Sequence, residues 1–582
     1  MNYKALLFLC ITVGIFSCKP KEKTAAVNYD NFLNEYIDST VSPGEDFFKF
    51  AMGKWLKNNP IPESERSWGI WTLVNEENYS RIRKINEEAA ANTKAKKGSN
   101  EQKIGDFWFT GMDTVTIEKQ GITPLKPELD KIAAISDPQG VIKMASYLHT
   151  MQVQPLFGNY IFQDEKNSNK FRLHFYQGGI GLPDRDYYFD KDERTVTIRN
   201  EYVKHISKMF QLTGIDAATA DTYAQTIMKM ETDFAGASRK LADLRDPYAN
   251  YNSMAVADVN KLCPAINWES FLADAGIKNI DTIIVGQPEF FKQLNTSLTK
   301  ESVDNWKIYL QWNLINAYAD RLSSDFDKEH FHFYGTILNG TKEQRARWKR
   351  VLDAEEDAMG FLLGQLYVEA YYPPEEKARY EKIVENTMAA YKVRIQQLDW
   401  MSPETKEKAL LKLSTVIKKV GYPDKWRDYS ALTITRDSYV QNAINANKYL
   451  HAYEVEKLYK PVDKTEWEMT PQTWNAYYNP SNNEIVLPAA AFIVPGVPDK
   501  YVDDAIAYGY AAGSTIGHEI THGFDDQGSQ FDEKGNLSEW WTPQDRAQFL
   551  ERTKLIVEQF NNYIIIDTIH VNGDATQGEN IA

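Results

Sequence analysis

Apolar residues at Val384, Met388, Tyr391, Ile395 and Leu398 recur at 4-3-4-3 spacing, which lays one apolar stripe along a helix. Ser402-Pro403-Glu404 then carries the signals of a second helix start: a hydroxyl that can accept a free backbone N–H, a proline at the first helical position and an acid in the first turn. Leu410, Leu413, Ile417 and Val420 form its stripe, and Gly421 with Pro423 ends it, so a helical pair is expected here. Between Glu45 and about residue 380, long amphipathic segments alternate with short Gly, Pro and Asn breaks, most clearly over 74–97 and 197–239. Their charged faces read as solvated helix surface, and no fixed-period repeat appears. Over 474–488 the pattern changes to two short strands, Trp474 to Tyr478 and Glu484 to Pro488, around a polar turn. Helix resumes near Asp503. The pattern predicts a mainly α chain with a small β component.

At 582 residues the chain has room for roughly two to four domains of ~150 residues each. Its 43% hydrophobic content is that of a folded protein. With 66 Lys+Arg against 81 Asp+Glu the formal charge is −15, which leaves no basic excess for a phosphate backbone, so no nucleic-acid partner is expected. Cysteines at 10, 18 and 263 are too few for a disulfide framework.

Two of those cysteines fall in a leader. Lys4, the apolar run Ala5 to Phe16, and Ser17-Cys18 have the order of a secretory signal, and twelve apolar residues fall short of the ~20 that span a bilayer. Ile15-Phe16-Ser17-Cys18 resembles the lipobox of bacterial lipoproteins, although Phe16 departs from the small residue preferred there. That resemblance implies a signal peptide over 1–17, lipidation at Cys18 and a polar tether over 18–44. The expectation is an exported protein of the cell envelope, facing periplasm or cell surface, with an N-terminal lipid anchor as its only membrane contact. An ordinary signal peptide that happens to contain Cys18 is the alternative.

The chemistry concentrates at His518-Glu519-Ile520-Thr521-His522, an H-E-x-x-H sequence in helical context. Asp503 and Asp504 can cap the helix, and Ile516, Ile520 and Phe524 repeat every four residues. At about 100° per residue, His518 and His522 share a face ~200° from that stripe. Two imidazoles then project together while the other face packs, as a zinc ion needs from a single helix; two histidines on a solvent face are the bland alternative. A catalytic zinc takes three protein ligands and one water, so a third ligand is required. A metzincin would need Gly at 525 and His at 528, where the chain has Asp525 and Gly528, and thermolysin-type spacing would need Glu at Trp541. Glu579, 57 residues after His522 at an apparent helix start, remains as a candidate.

The run His518 to Asp526, Gly535, Trp540-Trp541-Thr542 and Glu579-Asn580-Ile581-Ala582 resembles the neprilysin / endothelin-converting-enzyme family of zinc metallopeptidases, and its bacterial PepO-like members most of all. The likeness extends through Asp46 to Leu56, Gly181 to Tyr188 and Gly421-Tyr422-Pro423-Asp424, and so covers nearly everything after residue 40. It implies His518, His522 and Glu579 as ligands of one Zn2+ per chain and Glu519 as general base. It further implies Asp525 as a carboxylate orienting an imidazole, and Asn475 and Ala476 as an edge strand that pairs with substrate backbone. For Asn475 a plain turn-flanking role is the alternative. The implied fold is two-lobed: residues 45–60 join 381–582 in a thermolysin-like catalytic lobe, and 61–380 form a helical covering lobe around an internal cavity. Such a cavity limits substrates to oligopeptides.

The family motif continues past Ala582 to an Asp that supports the zinc site, and a later stretch of roughly a hundred residues supplies a His and an Arg for the oxyanion and the substrate. The chain is therefore expected to be incomplete at its C-terminus. The expected function is that of a neprilysin-like gluzincin, a zinc-dependent endopeptidase acting on oligopeptides. A non-catalytic peptide-binding lipoprotein of the same fold would predict a damaged His518/Glu519/His522 set, which is intact. A zinc-scavenging surface protein would want His-rich tracts that nine scattered histidines do not supply.

Overall fold

Asp46 starts the helix Phe47–Asn58 by accepting the Lys49 N–H at 2.9 Å in the computed structural model, which describes residues 34–566 and 568–582. The expected signal segment, Cys18 and the tether up to residue 33 lie outside the described residues. The chain divides into two units, 1–60 and 61–582. Within the first, the Asp38 N–H donates to the Phe50 carbonyl at 2.8 Å and Tyr36 stacks on Trp55.

The second unit is mainly helical and holds three substantial apolar cores. One is built by the helices Pro138–His149, Glu193–Leu212, Ala217–Ala237, Pro288–Lys300 and Val303–Tyr318. They pack with a four-stranded sheet of β1 (Gly158–Asp164), β2 (Asn167–Tyr176), β3 (Ser253–Ala255) and β4 (Thr282–Val285) in the order β1-β2-β4-β3. Strands β2 and β4 run parallel, with Leu173 opposite Ile283. Phe157, Phe175, Trp268 and Phe291 meet at its centre, the first two with ring centroids 4.8 Å apart. The segment 197–239 is thus two helices, because Asp216 caps a new start by accepting the Thr219 N–H at 3.1 Å.

A second core joins Ile70–Ala91, Asn100–Met112 and Arg347–Tyr371 through Ile82, Phe107 and Leu362. The third lies under the candidate site. There Val384 and Ile395 on the helix Pro374–Gln397 and Leu413 on the helix Pro403–Ser414 meet Ile485, Leu487, Ile516 and Ile520.

One expectation fails in this third core. Ile417 and Val420 do not continue the helix of Leu410 and Leu413; they lie in β5 (Ile417–Gly421), which pairs parallel with β7 (Glu484–Pro488), itself antiparallel to β6 (Tyr477–Asn479). The β-branched residues of Val416-Ile417 and Val420 suit a strand, and pairing along β7 overrides the helical spacing. Lys419 lies buried with its ammonium 2.7 Å from Glu484, a position that solvent-facing helix would not give it. Gly421 ends the strand with φ of 80°, which a glycine adopts without strain. Strands β8 (Ile564–Ile566) and β9 (Ile569–His570) form a short antiparallel pair. Among the described residues no helix is long and apolar enough to cross a membrane.

Candidate metal centre

The chain that presents the histidines is wound in three parts. Asp503 caps Asp504–Ala507 by accepting the Ala505 N–H at 2.8 Å; a wide π-helical stretch, Tyr508–Ile516, follows; and Gly517–His522 closes as α-helix. Ile516 and Ile520 are buried, and each stabilises the docking of this face by roughly 1.5–3 kcal/mol. Thr521 Oγ1 donates to the Gly517 carbonyl at 2.7 Å, and the Tyr391 hydroxyl bonds to Thr521 Oγ1, so the helix Pro374–Gln397 braces the segment from behind.

On the opposite face the two imidazoles stand nearly perpendicular, with Nε2 of His518 and Nε2 of His522 3.0 Å apart. Glu579, on the short helix Gln577–Ile581, brings Oε2 to 3.2 Å from the first and 3.7 Å from the second. Donors held about 2.0–2.2 Å from a tetrahedral zinc lie about 3.3–3.6 Å from one another, so these separations bracket what the ion requires. The donor chemistry fits as well. Nδ1 of His522 lies 2.8 Å from Asp525 Oδ2 and donates to it, which leaves the Nε2 lone pair aimed at the shared point. His518, His522 and Glu579 would hold such an ion, and a water would complete its coordination.

The electrostatics divide the groups. Burial pushes the Glu519 carboxyl up to about 7, with His522 pulling it down and Glu579 pushing it up. Burial disfavours the charged His518 ring, the neighbouring His522 adds to this, and the pKa is lowered despite Glu579. For His522 burial acts in the same direction, but the bond and charge of Asp525, with Glu519 and Glu579, outweigh it and the pKa is raised.

Asp525 is itself fixed, because Oδ1 accepts the N–H groups of Gln527 at 2.9 Å and Gly528 at 2.7 Å. Lys412 is wholly buried beneath this loop and donates to the carbonyls of Gly528 at 2.6 Å and Phe531 at 2.7 Å. Trp541 lies in the core with Nε1 donating to the Ser529 carbonyl, well suited to hold the loop. Asn475 and Ala476 fall immediately before β6, an edge strand; Asn475 is exposed, and its Oδ1 accepts the Ala476 N–H at 2.9 Å.

The structure therefore brings together His518, His522, Glu579, Glu519 and Asp525. Sequence reading missed Lys412 and treated Tyr391 only as a stripe residue. A signal existed for the lysine: Thr405, Ala409, Lys412 and Leu413 are the buried positions of their helix, so Lys412 sits at an i, i+4, i+7 core site.

Sequence comparison matches peptidase family M13 over residues 43–423 and again over 475–582. The chain is 30% identical to Neprilysin-3 of Drosophila melanogaster over 574 residues, 94% of this chain and 72% of that protein. It is also 30% identical to Endothelin-converting enzyme 1 of Homo sapiens over 577 residues, 96% of this chain and 74% of that protein. The crystal structure of the zinc metalloprotease ZMP1 of Mycobacterium tuberculosis in complex with an inhibitor superposes with a TM-score of 0.90 at 36% identity, covering 94% of this chain and 84% of that one.

Proposed function

The chain belongs to peptidase family M13, and on that footing we propose that it cleaves oligopeptides by zinc-assisted hydrolysis with Glu519 as general base. The observation that carries this reading is the convergence of His518 Nε2, His522 Nε2 and Glu579 Oε2 within 4.8 Å of one another. Zinc, when bound, lowers the pKa of a water toward ~7 and polarises the scissile carbonyl. Glu519, one residue from His518 and pushed by burial to about 7, takes the proton of the attacking water and hands it to the leaving amine nitrogen. Asp525 holds His522 in the tautomer with Nε2 free.

Substrate backbone would pair along the open edge of β6, with Asn475 and Ala476 supplying polar contacts that depend little on substrate sequence. In this reading 61–380 cover the site, which restricts substrates to short peptides, and Cys18 anchors an exported protein to a membrane through lipid. Removing the metal with a chelator and restoring one equivalent of zinc tests the reading. Cleavage of a short fluorogenic peptide should vanish and return with zinc bound at one per chain. Undiminished cleavage by metal-free protein would end it.

A further inference from the structure

Glu579 is carried by the segment Gln577–Ile581, next to the loop of Asp525 and Asp526. Asn572 and Thr576 tie the segment internally, through Thr576 Oγ1 to the Asn572 carbonyl and Asn580 Nδ2 to Thr576 Oγ1. Apart from the approach of Glu579 to the histidines, one hydrogen bond among the described residues ties 572–582 to chain outside 543–582: Nη1 of Arg245 donates to the Ala575 carbonyl at 3.0 Å.

The other arm of that guanidinium grips the opposite side of the site. Nη2 of Arg245 donates to Asp526, 2.9 Å from Oδ2 and 3.1 Å from Oδ1, and Asp526 directly follows the Asp525 that orients His522. Gly578 lies against this second arm. A Cβ there would stand 2.9 Å from Asp525 Oδ2, 3.0 Å from Arg245 Nη2 and 3.0 Å from Asp526 Oδ1, so the helix backs directly onto all three groups. Arg245 is carried firmly. It ends the turn Ala242–Arg245, and Asn250 Nδ2 holds the turn by donating to the Leu244 carbonyl at 3.0 Å.

We propose that Arg245 is a positioning residue of the metal centre, clamping the Glu579 helix to the Asp525–Asp526 loop and so setting the distance of the third donor from the two histidines. A planar guanidinium suits the task because its fork satisfies a carboxylate and a carbonyl at fixed angles, which an ammonium cannot do. A residue from the region read as covering the site thereby helps to build it.

The proposal rests on the zinc reading, so its test includes a measurement that needs no metal. Wild type, Arg245→Ala and Arg245→Lys are compared by zinc affinity in competition with a chelator, by kcat and KM, and by amide hydrogen exchange of 572–582 in the metal-free protein. Arg245→Ala should weaken zinc by about 10-fold or more, as loss of an outer partner does. It should lower kcat more than it changes KM, and speed exchange over 572–582 while the helix Glu193–Leu212 keeps its protection. Arg245→Lys, which keeps the charge and loses the fork, should fall between. Zinc affinity within about twofold of wild type together with unchanged exchange over 572–582 would overturn the proposal. If Arg245→Ala fails to fold, wild-type values in folded Arg245→Lys overturn it equally. A wild-type protein that takes up no zinc would end the zinc reading instead, and the exchange measurement would still decide whether Arg245 holds the segment.

Discussion

Nδ1 of His522 stands 2.8 Å from Oδ2 of Asp525, on the far side of the ring from the Nε2 that faces His518. The carboxylate can only accept from Nδ1–H, so the proton is held away from the donor nitrogen. In Asp525→Asn the oxygen can keep the N–H bonds of Gln527 and Gly528, but the amide then turns N–H toward the ring and favours the opposite tautomer. Zinc affinity should fall about 10–100-fold with little loss of melting temperature. Chelator competition alongside thermal unfolding measures both, and wild-type affinity in this variant would remove the orienting role.

Lys412 gives a pH signature of stability. Burial lowers its pKa to about 7 against an ordinary 10.5, with Asp525, Asp532 and Glu533 opposing that shift. Between these two values the unfolded chain holds a proton that the folded chain lacks, so this group's contribution to stability rises with pH; below about 7 both states hold it and the contribution is flat at its lowest. Relative to Lys412→Met, the wild type should gain stability from pH 7 toward pH 9.5, at no more than about 1.4 kcal/mol per pH unit. Denaturant titrations of both proteins across that range check it, and parallel curves would contradict it.

Asn475 is exposed beside the open edge of β6, so its truncation should not disturb the fold. If it binds substrate backbone equally in ground and transition states, Asn475→Ala should raise KM several-fold and leave kcat nearly unchanged. Steady-state kinetics on a short peptide decide this. An unaltered KM would return Asn475 to a turn-flanking role.

The H-E-x-x-H residues of the candidate site were legible because their chemistry is local. His518, Glu519 and His522 lie within one turn and a half of helix, whereas Glu579, 57 residues on, is picked out as a ligand only by the family resemblance. What escaped sequence reading is carried by distant partners: Arg245 meets Asp526 across 281 positions, Tyr391 meets Thr521 across 130, and Lys412 meets Gly528 across 116. No periodicity encodes such pairings. Ile417 and Val420 illustrate the same limit in the fold, since their spacing fits a helix and only β7, more than sixty positions on, makes them a strand. The apolar stripe of Val384 and Ile395 needed no distant partner to be read, and it packs as its spacing predicts.

Anchoring is tested apart from catalysis. A lipidated Cys18 would supply two or more buried acyl chains, while the polar residues after it supply nothing apolar. Cys18→Ala should therefore release the protein from the membrane fraction, and labelled fatty acid should enter the wild type alone. Absence of label in the wild type would leave an ordinary secretory signal.

Glu519 bears most directly on the proposed chemistry, because it sits on the ligand helix without being one of the three convergent donors. Glu519→Gln keeps the shape of the side chain and removes the base. The decisive measurement is bound zinc and turnover of a fluorogenic peptide in this one variant. Zinc content should match wild type, with turnover reduced by about 10²–10⁴. Wild-type turnover with zinc retained would contradict it, and loss of zinc would make Glu519 part of the donor set instead.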